Sequence, residues 1–150
     1  MSLRHDSLGN RVTVDNDRTL AGIEDFVGGT LGYESRALGI MAVAEADPQN
    51  CMANAYAGAL AMLLEAPQAP NNALPFLQRA ERAAPTASAR EQGVVQFLRL
   101  WREDDIPAAL RLGERLAAEY RLELRRGPSK ADARPGVGTA ARSKPLPDWL

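Results

Sequence analysis

Proline and glycine cut this chain into six stretches of helical length, and that punctuation constrains its fold more than any other feature. Asp15-Asn16-Asp17 offer N-cap oxygens, after which Leu20, Ile23, Val27 and Leu31 recur at helical spacing. Gly28, Gly29 and Gly32 weaken the end of that helix and turn the chain at Tyr33. A second helix from about Glu34 carries Ala37, Ile40, Met41 and Ala44. It ends at Asp47-Pro48, because the residue before a proline disfavours helical backbone. A third covers about Asn50 to Glu65, and Ala66-Pro67-Gln68-Ala69-Pro70-Asn71-Asn72 breaks it. A fourth spans about Ala73 to Ala83, closed before Pro85. A fifth, about Ala87 to Arg102, places Val94, Leu98 and Trp101 on one face. The sixth begins near Ile106-Pro107, since proline fits a first turn, and carries Ala109, Leu110, Leu116 and Ala117.

Composition agrees with helices. Alanine, leucine and arginine dominate and aromatic residues make up only 5%, so the residues that favour strands are scarce. At 150 residues the chain is long enough for one domain with a real core. One cysteine excludes an intrachain disulfide framework, and one cysteine with one histidine excludes a His/Cys-rich metal cage. The formal net charge of −1 gives no global basic field and argues against specific nucleic-acid binding. No apolar stretch has the length of a membrane span or the pattern of a targeting signal, so a soluble cytoplasmic protein is expected.

The charge is nevertheless uneven. Residues 121–150 hold seven basic and three acidic side chains, whereas residues 1–120 hold 11 basic and 16 acidic ones. The basic stretch gathers Gly127-Pro128, Pro135-Gly136 and Pro145-Leu146-Pro147 and has little apolar periodicity. Residues 127–150 are therefore expected to be a disordered tail, which cannot offset its ordering entropy. Residues 1–16 are expected to be a flexible segment in which Val12 and Val14 pack locally, and residues 17–126 to be the folded domain.

Spacing points to a repeat. Pro48 and Pro85 each close a helix pair and stand 37 residues apart. A tetratricopeptide unit is about 34 residues, with alanine, a large apolar residue, alanine and a closing proline at fixed offsets in its second helix. Ala73, Leu77, Ala80 and Pro85 fit those offsets, Ala57-Gly58 and Ala61 fit the first helix, and the Pro67–Asn72 loop accounts for the extra three residues. The flanking units fit less well: Arg36 stands where a small residue belongs, and Arg121 where a proline would close the third unit. The alternative is an unrelated bundle of alanine-rich helices. The expected fold is all-α, three antiparallel helix pairs stacked as a short right-handed solenoid.

Continuous stretches carry a closer likeness. Ile23-Glu24-Asp25-Phe26-Val27, Leu31-Gly32-Tyr33-Glu34-Ser35-Arg36-Ala37 and Ala44-Glu45-Ala46-Asp47-Pro48 resemble the opening of the bacterial tetratricopeptide repeat protein 38 family. So do Ala53-Asn54-Ala55-Tyr56-Ala57, Leu64-Glu65-Ala66-Pro67-Gln68-Ala69-Pro70, Ala89-Arg90-Glu91 and Trp101. The likeness runs from about residue 9 to Tyr120. It implies a longer all-helical protein with further repeats, in a family without a well-established activity. After Tyr120 the family pattern would give a proline and an Arg-Asp-Leu segment, where this chain has Arg121-Leu122-Glu123-Leu124.

Residues able to carry chemistry are few. His5 lies in the polar N-terminal segment with no second positioned group, and reads as a bystander. Cys51 at a helix start reads as a small core residue. Asp104-Asp105 and Glu24-Asp25 are adjacent, so their side chains diverge and serve as caps or surface charges. Gly136-Val137-Gly138 has no preceding strand, and no cofactor or metal is expected.

A non-catalytic interaction module is therefore expected. By the family register, first-helix positions facing the concave side are Met52, Ala55, Ala59, Met62 and Leu63 in the second unit. In the third they are Ala89, Gln92, Gln96, Arg99 and Leu100. The apolar second-unit stripe either meets a protein or peptide partner or is covered by the chain's own helices. Self-association is a further expectation, with Val95, Leu98, Leu110 and Leu116 partly exposed on an uncovered last pair. The alternative is an N-terminal part of a longer repeat protein, with small-molecule-binding or enzymatic chemistry in repeats absent here.

Overall fold

The computed structural model describes residues 2–126, so the tail expected over 127–150 lies outside the described residues. Six α-helices follow a short N-terminal hairpin: α1 Asp17–Gly32, α2 Ile40–Ala46, α3 Cys51–Leu63, α4 Ala69–Ala83, α5 Ala89–Arg102 and α6 Ile106–Arg126. Strands β1 (Leu3–His5) and β2 (Arg11–Thr13) pair antiparallel, with Leu3 opposite Thr13 and His5 opposite Arg11. The segment expected to be flexible, 1–16, holds this hairpin, and the described residues are otherwise mostly helical, six helices in pairwise contact. Turn chemistry explains the hairpin: Asp6 Oδ1 accepts from the amides of Leu8 at 3.0 Å and Asn10 at 2.8 Å, and Gly9 takes a φ of 82°. Val12 and Val14 then point into the core, 1% and 0% exposed.

Asparagine side chains cap two helix starts, the first of them within the expected Asp15-Asn16-Asp17 stretch. Asn16 accepts from the Thr19 amide at 2.7 Å, and Asn50 from the Ala53 amide at 2.9 Å. The end of α1 is Tyr33 in the left-handed region, φ 54°. Two boundaries differ from expectation. The second helix opens as a 3₁₀ turn, Ser35–Gly39, before α2. The fourth begins at Ala69 rather than Ala73, because Pro70 sits in the first turn, where its missing N–H costs nothing. Pro75 lies inside α4.

Consecutive helices pack in pairs. The 3₁₀ turn and α2 pack on α1, α4 on α3, and α6 on α5, while α5 also reaches both α3 and α4. Central α3 buries nearly every side, from Cys51 through Ala55 and again at Ala57, Gly58, Ala61 and Met62. Its alanines let α1, α2, α4 and α5 approach closely. Within each pair a glycine marks the contact. A Cβ on Gly22 would lie 2.3 Å from Val43 Cγ2, one on Gly58 2.5 Å from Leu77 Cδ2, and one on Gly93 2.5 Å from Leu116 Cδ2. The three glycines are 36 and 35 residues apart.

Candidate interaction surface

The hairpin lies across the N-terminal turns of α3 and α5. Glu91, completely buried in the first turn of α5, takes the Thr13 amide on Oε1 at 2.9 Å and the Thr13 hydroxyl on Oε2 at 2.5 Å. Asn50, the cap of α3, donates from Nδ2 to the Thr13 carbonyl at 3.1 Å. One residue of an extended strand thus has its main chain held from both sides, with Val12 and Val14 buried on either flank. Glu91 also accepts from the Ser88 amide at 2.8 Å, closing a capping box with the Ser88 side chain. A buried carboxylate is costly unless every lone pair finds a donor, and three donors converge here.

Aromatic and basic groups extend the same face. Phe26 of α1 stacks on Tyr56 of α3, ring centroids 4.7 Å apart. Burial pushes the Tyr56 phenol up, against the opposing pull of Arg90 on α5. Arg90 Nη1 is buried without a hydrogen-bond partner, as is Asn54 Oδ1 on α3. Cys51 is core: its thiol lies 3.6 Å from the Ala80 carbonyl, and burial pushes its pKa up to about 12.

The expected contact residues divide by exposure in this arrangement. Met52 and Ala55 are completely buried, Met62 is 9% exposed, and Ala59 is half-buried. The apolar stripe is covered by the chain itself, because its alanines admit neighbouring helices and the hairpin closes over the helix starts. Leu63 is exposed, as are Gln92, Gln96 and Arg99 on the outward side of α5. Thr13, Asn50 and Glu91 were not among the expected site residues. The spacing Ser88-x-x-Glu91 was the available signal for a capping box, but nothing local reveals that Glu91 also receives a strand 78 residues away.

A second surface lies between the last two helices. Gln96 and Leu100 of α5 and Ala108, Arg111, Leu112 and Arg115 of α6 line an open groove of about 740 Å³. Of the apolar residues expected to be partly exposed here, Leu110 is 60% exposed and Leu116 half-buried, whereas Val95 and Leu98 are buried beneath them.

No helix of the described residues is long and apolar enough to cross a membrane, and among those residues no three His, Cys, Asp or Glu side chains group to hold a metal ion. No family model, curated protein or solved structure matches this chain.

Proposed function

We propose that this protein is a non-catalytic interaction module of tetratricopeptide type, three helix pairs in a short right-handed array, which takes up an extended peptide on the face shared by α3 and α5. The observation that carries this reading is that the face already holds one. Residues 11–13 lie on it as a strand that Val14 follows, read through the Thr13 main chain by Glu91 and Asn50 and through the side chains of Val12 and Val14. Main-chain bonds supply affinity in such recognition, and side-chain pockets supply specificity. The recurrence of Gly22, Gly58 and Gly93 at near-equal intervals supports the repeat assignment, which stays a likeness to the tetratricopeptide repeat protein 38 family. A cytoplasmic protein or peptide partner goes with this function.

The test uses the full chain carrying Val12→Asp, which places a charge in a buried slot and dislodges the hairpin. A fluorescent peptide copying residues 2–15 should bind this variant at least about tenfold tighter than wild type, because the intact hairpin lowers the fraction of competent protein. Helical circular dichroism should be retained. Equal binding by variant and wild type would remove the basis for the reading.

The open groove at the last pair favours a second reading, that this chain is the N-terminal part of a longer repeat protein. The genomic sequence downstream of the Tyr120 codon, read in three frames, tests it; absence of further helical repeats in any frame would count against it.

A further inference from the structure

We infer that the groove between α5 and α6 is the receiving end of a head-to-tail contact between copies of this chain, and that the incoming element is the first helix pair of the next copy. The corresponding place between α3 and α4 is taken within the chain by α5, which contacts both helices, so the fold already packs one helix pair onto the preceding one in this way. The last groove offers Leu100, Ala108 and Leu112 as its apolar floor, with Arg111 and Arg115 beside a single acid, Glu114.

The opposite end of the molecule carries the complementary features. Where α1 turns into the 3₁₀ segment, Leu31 is 70% exposed, Tyr33 98% and Leu38 59%. That is a concentrated run of large apolar side chains in water, anchored by a tyrosine held in left-handed backbone. Beside it Arg36 is shared between Glu34 at 2.6 Å and Asp25 at 3.3 Å, so one cation stands against two carboxylates. Of the five acidic side chains from α1 through α2, Asp17 pairs with Arg4 and Glu45 with Arg79, which leaves Glu24, Asp25 and Glu34 against Arg18 and Arg36. An acidic, apolar end and an apolar groove with two arginines on its rim are complementary in charge and in kind. The contact is heterologous, so it leaves one free end of each type and growth does not close at two.

Sedimentation velocity of the full chain from micromolar to near-millimolar protein tests this. The weight-average mass should at least double across that range, through species larger than a dimer. Arg111→Glu with Arg115→Glu should hold the protein monomeric, and so should Leu31→Glu with Tyr33→Asp, both with wild-type circular dichroism. Mixed in equal amounts, the two variants each supply one intact end and should form a complex that stops at two chains. A chain that stays monomeric throughout, as it would if residues 127–150 or an unrelated protein occupied the groove, overturns the inference. So does a closed dimer insensitive to both variants, or a mixture that gives no heterodimer. Peptide binding at the α3–α5 face is read separately and is indifferent to these outcomes.

Discussion

Replacing Glu91 by alanine should destabilise the protein by about 3–5 kcal/mol, a large share of the roughly 5–15 kcal/mol that holds a domain of this size together. The figure is built from the donors left behind. Thr13 N, Thr13 Oγ1 and Ser88 N all converge on this carboxylate, at 2.9, 2.5 and 2.8 Å. Hydrogen bonds to charged groups contribute about 1.5–3 kcal/mol each. Their sum overstates the loss, because removing the carboxylate also removes its own desolvation cost and lets water reach Ser88, which is half-buried. Thr13 is only 6% exposed, so its amide and hydroxyl stay stranded unless the hairpin lifts. Urea unfolding followed by far-ultraviolet circular dichroism gives the free energy, and Trp101 on α5 gives a second probe of the same transition. A cycle with Thr13→Val isolates the hairpin contact from the capping box, with an expected coupling of about 1–2 kcal/mol. A loss below about 0.5 kcal/mol for Glu91→Ala, or a coupling indistinguishable from zero, would refute the claim that this carboxylate fastens the N-terminal strand to the helices.

Gly58→Ala should cost about 1–3 kcal/mol by thermal or urea unfolding, since its Cβ would lie 2.5 Å from Leu77 Cδ2 at the heart of the α3–α4 contact. Gly39→Ala is the control. Nothing stands within 4 Å of its Cβ and its φ is −60°, so a gain of about 0.4–1 kcal/mol is expected from the unfolded chain alone. Cys51 should resist a thiol reagent at mildly alkaline pH until the protein unfolds, because burial pushes its pKa up to about 12 from 9.0. The unfolded thiol loses its proton first, so this contribution is fully present below about pH 9 and is lost as pH rises toward 12, where unfolding titrations should find falling stability.

Much of the secondary structure was legible in the residues. The caps Asn16 and Asn50, the stop at Asp47-Pro48 and the start at Ile106-Pro107 are local events, decided by side chains within a few positions of the backbone groups they serve. The small face of Ala73, Leu77 and Ala80 was likewise legible, because close helix packing leaves a periodic trace in side-chain size, and all three are buried. The early start of α4 was misread, since Pro70 has the same local signature whether it ends a loop or opens a helix.

The candidate site was not legible, for a different reason. Met52, Ala55 and Met62 look alike in sequence whether they line an open groove or a covered one, and only the tertiary arrangement decided that they are covered. The N-terminal strand has three-residue elements whose pairing is marginal without support, so its polar residues resemble a tail. Its support comes from Glu91 and Asn50, 78 and 37 residues away from Thr13. Local backbone preference cannot encode a bond between groups that far apart. The chain's own punctuation determined where helices begin and end, while burial of Val12, Val14 and the Glu91 carboxylate depended on distant parts of the chain meeting, which is a property of packing alone.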